Sequence, residues 1–301
     1  VRLSVVVPTY NRSAVLRVCL RALAAQTLPA DRFEVLVVDD GSSDDTESVV
    51  RGFEDELPVR YLRQPTNRGR AAARNRGIHE ATGDVVVFVD SDVFPVPGFL
   101  EAHRQIHLRH PRAVGRGPLA LTAHLDDPFH RPPLLPDPSP AFLDTANASV
   151  RREHLVAAGG FDEEFRQYGW EDVELGFRLQ RMGLRRVFDR RALAYHYQPP
   201  PAPQDLPDLL RREEERARMA VRLVRKYPGL TSRFLTQLTP LHSLTSFLLT
   251  AGGAVNERNV SSVLRWVHSH RLAHLLLRLA LNRYYVNAVR REWLELSRRT
   301  A

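Results

Sequence analysis

The sequence predicts an α/β chain: a mixed, mostly parallel sheet flanked by helices, followed by a C-terminal helical extension. Three observations carry that expectation. Leu3 to Val7, Phe33 to Val38 and Val85 to Val89 are short, continuous apolar runs rich in Val, the habit of strands covered on both faces by helices. Between the first two runs Val15, Leu16, Cys19, Leu20 and Leu23 repeat with helical spacing, which makes a βαβ unit with a right-handed crossover. Beyond Pro207 the composition turns to Arg- and Glu-rich helical patterns without strand-like runs.

Composition narrows the class. A chain of 301 residues with 43% hydrophobic and 26% charged residues has the make-up of a globular protein with a sizeable core, in one large domain or two smaller ones. Cys19 is the single cysteine, so a disulfide framework and a cysteine-based zinc site are excluded; its place in a helical repeat makes it a small core residue. No apolar run reaches 18 residues and the first residues already read as a strand, so the expectation is a cytoplasmic enzyme, with peripheral contact to the inner face of the membrane as a further option. The formal charge is +8, and Lys226 is the only lysine among 43 basic residues. Such basicity suits an enzyme that handles diphosphates. A nucleic-acid partner is not expected, because no recognisable nucleic-acid-binding module accompanies the charge.

Taken in order, Leu3 to Val7 is a strand stopped by Pro8, and Asn11 or Ser13 is placed to cap the helix that follows. Phe33 to Val38 ends in Asp39-Asp40-Gly41-Ser42-Ser43-Asp44, with Ser43 or Asp44 capping a helix to about Phe53. Val59 to Arg63 is a third strand, after which Asn67-Arg68-Gly69-Arg70 opens a helix carrying Ala71 to Ala73, Arg74 and Asn75. Val85 to Phe94 is read as one strand ending in Asp90-Ser91-Asp92. A helix is expected from Phe99 to His110. Ala123 to Leu143 is dense in proline and can form neither a helix nor a central strand, so it is a lid over the site or a disordered connection. Asp144 to Val150 is extended, and a helix begins near Arg152.

Gly159 to Phe165 leads to Tyr168-Gly169-Trp170-Glu171-Asp172. Leu175, Leu179 and Met182 fit a helix stripe and Gly183 its C-terminal cap, so Glu171 and Asp172 fall in a first turn, where the helix dipole favours negative charge. Val187 to Tyr195 is a strand that delivers His196 before the proline-rich 199–203. We expect one unit over 1–203 and a helical region over 204–301 that serves packing, homodimerisation or membrane docking. Within it Leu209 to Lys226 is an amphipathic helix, Leu235 to Val255 a pair of short helices broken at Gly252-Gly253, and Val260 to Tyr285 a helical run.

The polar strand ends are the candidate site. Carboxylates are almost never fully buried unless paired or metal-bound, so Asp90 and Asp92 at the end of a buried strand match the oxygen ligands of a hard cation that also grips phosphates; a solvated acidic turn is the alternative. Pro8, Asp39 and Asp90 converge on one sheet edge. Neither a GxGxxG fingerprint nor a Walker loop occurs, so a dinucleotide or P-loop site is not supported, and a sheet edge that presents carboxylates rather than glycine-rich amides points to a metal-bridged diphosphate. His196 ends a strand near this edge, and imidazole is a common ligand of divalent transition metals.

Val5-Val6-Val7-Pro8-Thr9-Tyr10-Asn11-Arg12, Val38 to Asp44, Asn67-x-Gly69, Ala73-Arg74-Asn75-x-Gly77 and Asp90-Ser91-Asp92 resemble the family-two glycosyltransferases of GT-A fold. Phe161 to Leu179 and Ala194 to Pro200 are similar, more particularly, to bacterial chondroitin-polymerase and galactosaminyltransferase-type modules. The resemblance covers residues 1 to 200 with its motifs in order. It implies a GT-A, Rossmann-like domain that moves a hexosyl or hexosaminyl group from a nucleotide-sugar, a UDP-sugar foremost, to a hydroxyl acceptor. Asp39 and Asp40 would lie at the base and ribose, Pro8, Tyr10 and Arg12 would wall the uridine pocket with Arg74 nearby, and Asp90 and Ser91 would contact the donor. Asp92 would chelate Mn²⁺ or Mg²⁺ directly, His196 would complete the coordination and Asp90 would serve ribose or metal. Glu171-Asp172 matches the acidic pair ahead of the acceptor, with Asp172 as general base, and attack from the face opposite the diphosphate implies inversion. The polymerases join two such modules, whereas this chain carries one.

Other functions fit less well. A sugar nucleotidyltransferase predicts a glycine-rich activating loop and a nearby lysine at the N-terminus, where this chain reads Val-Pro-Thr-Tyr-Asn-Arg. A non-catalytic nucleotide-sugar-binding or interaction protein on the same scaffold predicts loss of Asp92, Asp172 or His196, and all three are present.

Overall fold

The computed structural model describes residues 1–129, 139, 141–199, 203–260, 262 and 270–299. They divide into two compact units, Val1–Arg166 with Glu171–Pro199, and Gln167–Trp170 with the described residues from 203 on. Gln167–Trp170 groups with the second unit although it lies within the first 203 residues.

In the first unit strand β1 (Leu3–Thr9) is paired in parallel with β2 (Phe33–Asp39) on one side and β4 (Val85–Val89) on the other; β3 (Val59–Arg63) lies outside β2. Strand β8 (Asn147–Arg151) pairs antiparallel with both β4 and β6 (Ala113–Arg116), and β9 (Arg185–Phe188) closes the sheet parallel to β6. The order is β3-β2-β1-β4-β8-β6-β9, the mixed, mostly parallel sheet expected. Alternation of side chains sends Val5, Val7, Val35, Val37, Val85 and Val87 to one face and Val6, Leu36, Val38, Val86 and Phe88 to the other. Helices α1 (Ser13–Ala24), α2 (Thr46–Arg51) and α4 (Phe99–Arg109) cover the first face, with Cys19 buried there. Helices α3 (Arg70–Glu80), α5 (Arg152–Ala157) and α6 (Glu171–Arg181) cover the second. Gly77 lets α3 lie directly on β1, since a Cβ there would stand 2.4 Å from Val6 Cγ1.

Three strands differ from the sequence reading. Pro8 does not stop β1, which runs on to Thr9; pairing with β4 ends at Val6, so the missing Pro8 N–H is not needed on that side. Val85 to Phe94 is two strands: β4 ends at Val89, and β5 (Val93–Pro95) belongs to a separate three-stranded sheet with β7 (Leu119–Thr122) and β10 (Ala194–Tyr197), in the order β5-β10-β7. Val187 to Tyr195 is likewise split between β9 and β10. In both cases a polar turn lets the chain leave the large sheet and cross to the small one.

Under β8 the core holds a directed polar chain. Asn147 Nδ2 donates to Ala192 O at 2.8 Å, so its Oδ1 accepts from His103 Nε2 at 3.0 Å; His103 Nδ1 must then accept from Ser149 Oγ at 2.7 Å, which in turn accepts from His107 Nε2 at 2.8 Å. Both rings are fully buried.

In the second unit α7 (Leu206–Lys226) packs along α10 (His270–Arg299), and α8 (Leu230–Leu235) and α9 (Pro240–Leu249) lie between them in sequence. Ala217, Ala220, Val221, Tyr285, Val286 and Val289 form its core, and Trp170 packs against it and donates to Arg216 O at 3.0 Å. The central part of the proline-rich 123–143 segment (130–138 and 140), and 261 with 263–269 of the Val260 to Tyr285 run, lie outside the described residues. No described helix is long and apolar enough to cross a membrane.

Candidate active site

The loops leaving β1, β2 and β4 lie side by side at the carboxyl edge of the sheet, where ligands of open α/β sheets bind. The first two are laced together. Ser42 Oγ accepts from Asn11 N at 2.9 Å, Asn11 Oδ1 accepts from Ser43 N at 2.8 Å, and Asp44 Oδ2 accepts from Ser13 N at 2.9 Å. That lacing diverts Asn11 from the expected cap, whereas Asp44 still accepts from Thr46 N at 3.2 Å through Oδ1 at the start of α2. Asn11 sits at φ 50° with its side chain committed to the second loop, Ser13 is the first residue of α1, and the N-cap positions fall to Arg12 and Asp45, neither of which makes a side-chain cap bond.

Asp39 and Asp40 are both buried. Asp39 Oδ1 accepts from Ser42 N at 2.9 Å and Oδ2 from the Tyr61 hydroxyl. Asp40 accepts from Gln64 Nε2 at 2.7 Å, Arg68 N at 2.8 Å and Gly69 N at 2.9 Å. Burial pushes the Asp40 carboxyl above its usual range although the two amides and Gln64 oppose it. Asp40 therefore pins the turn that starts α3, where Gly69 adopts φ 88° and a Cβ would meet Arg166 O at 2.9 Å. Pro8 is half-buried, while Tyr10 and Arg12 are exposed beside this edge. Ser91 is buried.

Arg74 on α3 joins two of the acidic motifs. Its Nη2 donates to Asp90 Oδ1 at 2.8 Å and its Nη1 to Glu171 Oε1 at 2.8 Å. Burial would raise the Asp90 pKa, but the Arg74 and Arg70 charges outweigh it and hold it below the usual value. The segment before α6 is docked on the same helix: Asn75 Oδ1 accepts from Phe161 N at 2.7 Å, and Asn75 Nδ2 donates to Phe161 O at 2.9 Å and Glu163 Oε1 at 3.0 Å. Asp172, half-buried in the first turn of α6, accepts from Val173 N at 2.7 Å. Desolvation, then the charges of Glu171 and Asp144, push its pKa up to about 8 against the pull of Arg74.

Asp92 belongs to a second group. Its carboxylate is paired with Arg12 through Oδ2, and His196 Nε2 lies 3.7 Å from Oδ1. The crossing from β4 to β5 makes this possible: His196 on β10 faces Val93 on β5, and Tyr197 N donates to Asp92 O at 2.8 Å. Metal–ligand distances of about 2.0–2.2 Å place two ligands of one ion roughly 3–4 Å apart, so Asp92 Oδ1 and His196 Nε2 fit a divalent cation in both spacing and chemistry. The fit extends to these two alone. Among the described residues no three His, Cys, Asp or Glu side chains form a group that could hold an ion, and Asp90 Oδ1 is committed to Arg74.

Sequence reasoning missed Tyr61, Gln64 and Arg116. Arg116 Nη2 donates to Asp144 Oδ2 at 3.0 Å and its Nη1 to Ala141 O at 2.6 Å, so it holds the acidic neighbour of Asp172. A lone Arg, Tyr or Gln in a strand or after it carries no spacing signal.

A mixed sheet with an Asp-x-Asp turn at its carboxyl edge and acidic residues opening a later helix defines a GT-A-type protein. Residues 4–133, somewhat under half of the chain, match the model of the family described as Glycosyl transferase family 2. The chain is 33% identical over 227 residues to a validoxylamine A glucosyltransferase of Streptomyces hygroscopicus subsp. jinggangensis (63% of this chain, 54% of that protein). It is 29% identical over 243 residues to a chondroitin synthase of Escherichia coli (66% of this chain, 35% of that protein), so the matched regions span about half or less of these relatives. In fold it is similar to a mannosyltransferase from Pyrobaculum calidifontis in complex with GDP-Man and Mn²⁺, with a TM-score of 0.59, 20% identity, and coverage of 97% of this chain and 87% of that one.

Proposed function

We propose that the first unit transfers a hexosyl or hexosaminyl group from a nucleotide-sugar, with a UDP-sugar as the favoured donor, to a hydroxyl acceptor, with inversion. The observation that carries this reading is the placement of Asp172, half-buried beside Glu171 in the first turn of α6 with its carboxyl pushed up to about 8 by desolvation and the neighbouring carboxylates, in a unit where Asp92 Oδ1 lies 3.7 Å from His196 Nε2. A general base works best when its pKa is close to the operating pH. Asp172 takes the proton of the acceptor hydroxyl as that oxygen bonds to the anomeric carbon, and the bond to the diphosphate breaks with its electron pair leaving on the diphosphate. Asp92 and His196 are the residues to hold a divalent ion, which when bound neutralises the developing charge of the departing diphosphate.

Other residues bind and orient. Pro8, Tyr10 and Arg12 wall the nucleoside pocket, and Arg12 is free to turn from Asp92 to a phosphate oxygen. Asp39, held by Tyr61 and Ser42, faces the base, and Asp40 acts by fixing the turn at Arg68 and Gly69. Asp90 and Ser91 serve the ribose side, with Arg74 setting the Asp90 carboxylate and Glu171. A thermal-shift screen of UDP-, GDP- and dTDP-sugars with and without Mn²⁺ tests the reading. Stabilisation by a UDP-sugar that requires the metal is expected; no stabilisation by any nucleotide-sugar would contradict it.

A further inference from the structure

In the second unit α8 and α9 are turned inside out. Leu230 and Phe234 of α8 are 84% and 58% exposed, and Leu241, Leu244 and Leu248 of α9 are 56%, 55% and 64% exposed. These residues recur at helical spacing on one side of each helix. The buried positions are small and polar instead: Ser232, Thr236, Ser246 and Thr250. The hydroxyls of Ser232, Thr236 and Thr250 are satisfied inwardly, with Ser232 Oγ donating to Gly229 O at 3.1 Å, Thr236 Oγ1 to Ser232 O at 2.8 Å and Thr250 Oγ1 to Ser246 O at 2.8 Å, while Tyr285 OH donates to Thr236 O at 3.0 Å and Arg283 Nη1 to Thr250 Oγ1 at 3.1 Å. A water-facing helix has the opposite arrangement.

Charge follows the same division. Residues 234–256 contain no Asp, Glu, Lys or Arg, while exposed Arg225, Lys226 and Arg233 precede them and exposed Arg258 follows. Beyond residue 203 the chain has 17 basic against 8 acidic side chains; up to residue 203 it has 26 against 27. The whole positive excess of the protein therefore lies in the stretch of chain that carries the apolar face, and the exposed Arg225, Lys226, Arg233 and Arg258 that flank 234–256 are the charges an anionic lipid surface would meet.

We infer that α8 and α9 dock on an anionic bilayer, with Phe234, Leu241, Leu244 and Leu248 immersed among the upper acyl chains and Arg225, Lys226, Arg233 and Arg258 at the headgroups. Neither helix can span the membrane, so the attachment lies in the interface. Long basic side chains at the ends of an apolar segment reach the headgroups while their stems stay in the apolar layer. The inference goes beyond the proposed transfer reaction and does not depend on it.

The test is sedimentation of the full chain with sucrose-loaded vesicles, either pure phosphatidylcholine or phosphatidylcholine with about 30% phosphatidylglycerol. The wild type is expected to bind the anionic vesicles at least about tenfold better than the neutral ones, with weaker binding as salt screens the basic residues. Leu244→Glu with Leu248→Glu should lower binding to anionic vesicles at least about tenfold, because charge is costly in the acyl layer. Its melting temperature should be unchanged, because both side chains are exposed. Equal binding by the variant overturns the inference, as does a wild type that stays in the supernatant with both vesicles. If light scattering without lipid shows a dimer that the double substitution disperses, and no vesicle binding is seen, a second copy covers this face and the inference fails.

Discussion

Arg74 Nη1 donates to Glu171 Oε1 at 2.8 Å, with 2% of one side chain and 4% of the other exposed. The pair holds the first turn of α6 against α3, and the second arm of the same guanidinium reaches Asp90. Removing one partner of a buried ion pair leaves an uncompensated charge. Arg74→Met should therefore destabilise the first unit by about 3–5 kcal/mol, and adding Glu171→Gln should recover part of that loss. A denaturant-based double-mutant cycle measures the coupling; additive losses would show that the pair is not a unit.

Asp172 should oppose stability at neutral pH. Its folded pKa is raised from 3.8 to about 8, so the unfolded chain releases this proton first. The resulting stability penalty is absent below the unfolded value and grows as pH rises toward about 8. Asp172→Asn should raise the melting temperature at pH 7 to 8 and leave it unchanged near pH 3. Melting curves of both proteins across that range test the sign.

The buried histidines predict an acid limb. Burial lowers His103 to about 4, and burial with the His103 charge lowers His107 to about 3. Both folded values lie below the unfolded 6.5, so their contribution is intact above that pH and is lost as pH falls through 6.5 toward 3. Urea midpoints should drop between pH 7 and pH 5, and His107→Gln should flatten that drop. An equal slope in the variant would remove His107 from the account.

The Asp92 and His196 pair predicts which binding depends on a cation. Asp92→Asn and His196→Ala should each weaken UDP binding in the presence of Mn²⁺ by roughly tenfold to a hundredfold and leave the metal-free affinity unchanged, because loss of an ordered ligand or its partner has effects of that size. Calorimetric titration with and without chelator separates the two.

Much of this site was legible in the residues. The apolar runs at Val5, Val35 and Val85 placed three neighbouring parallel strands, and the polar residues after each had to reach one edge. Chain crossings between sheets were not legible, because a polar turn inside an apolar run looks the same whether the strand ends or bulges. Yet the crossing at Asp90 to Asp92 is what sets Asp92 beside His196. The cap residues misled in part for a related reason: Asn11 spends its side-chain oxygen on the neighbouring loop, and Asp44 divides its carboxylate between Ser13 N of that loop and Thr46 N at the start of α2. The pinning role of Asp40 was equally hidden, since its partners Gln64, Arg68 and Gly69 lie some 24 to 29 residues away.

As proposed above, Asp172 acts on the acceptor and not on the donor. The most direct measurement is donor affinity and turnover on one protein, Asp172→Asn, with the UDP-sugar that stabilises the wild type. Turnover should fall roughly 10²-fold or more while the donor dissociation constant stays within about twofold. Unchanged turnover, or a loss of donor binding that matches the loss of rate, would contradict the account.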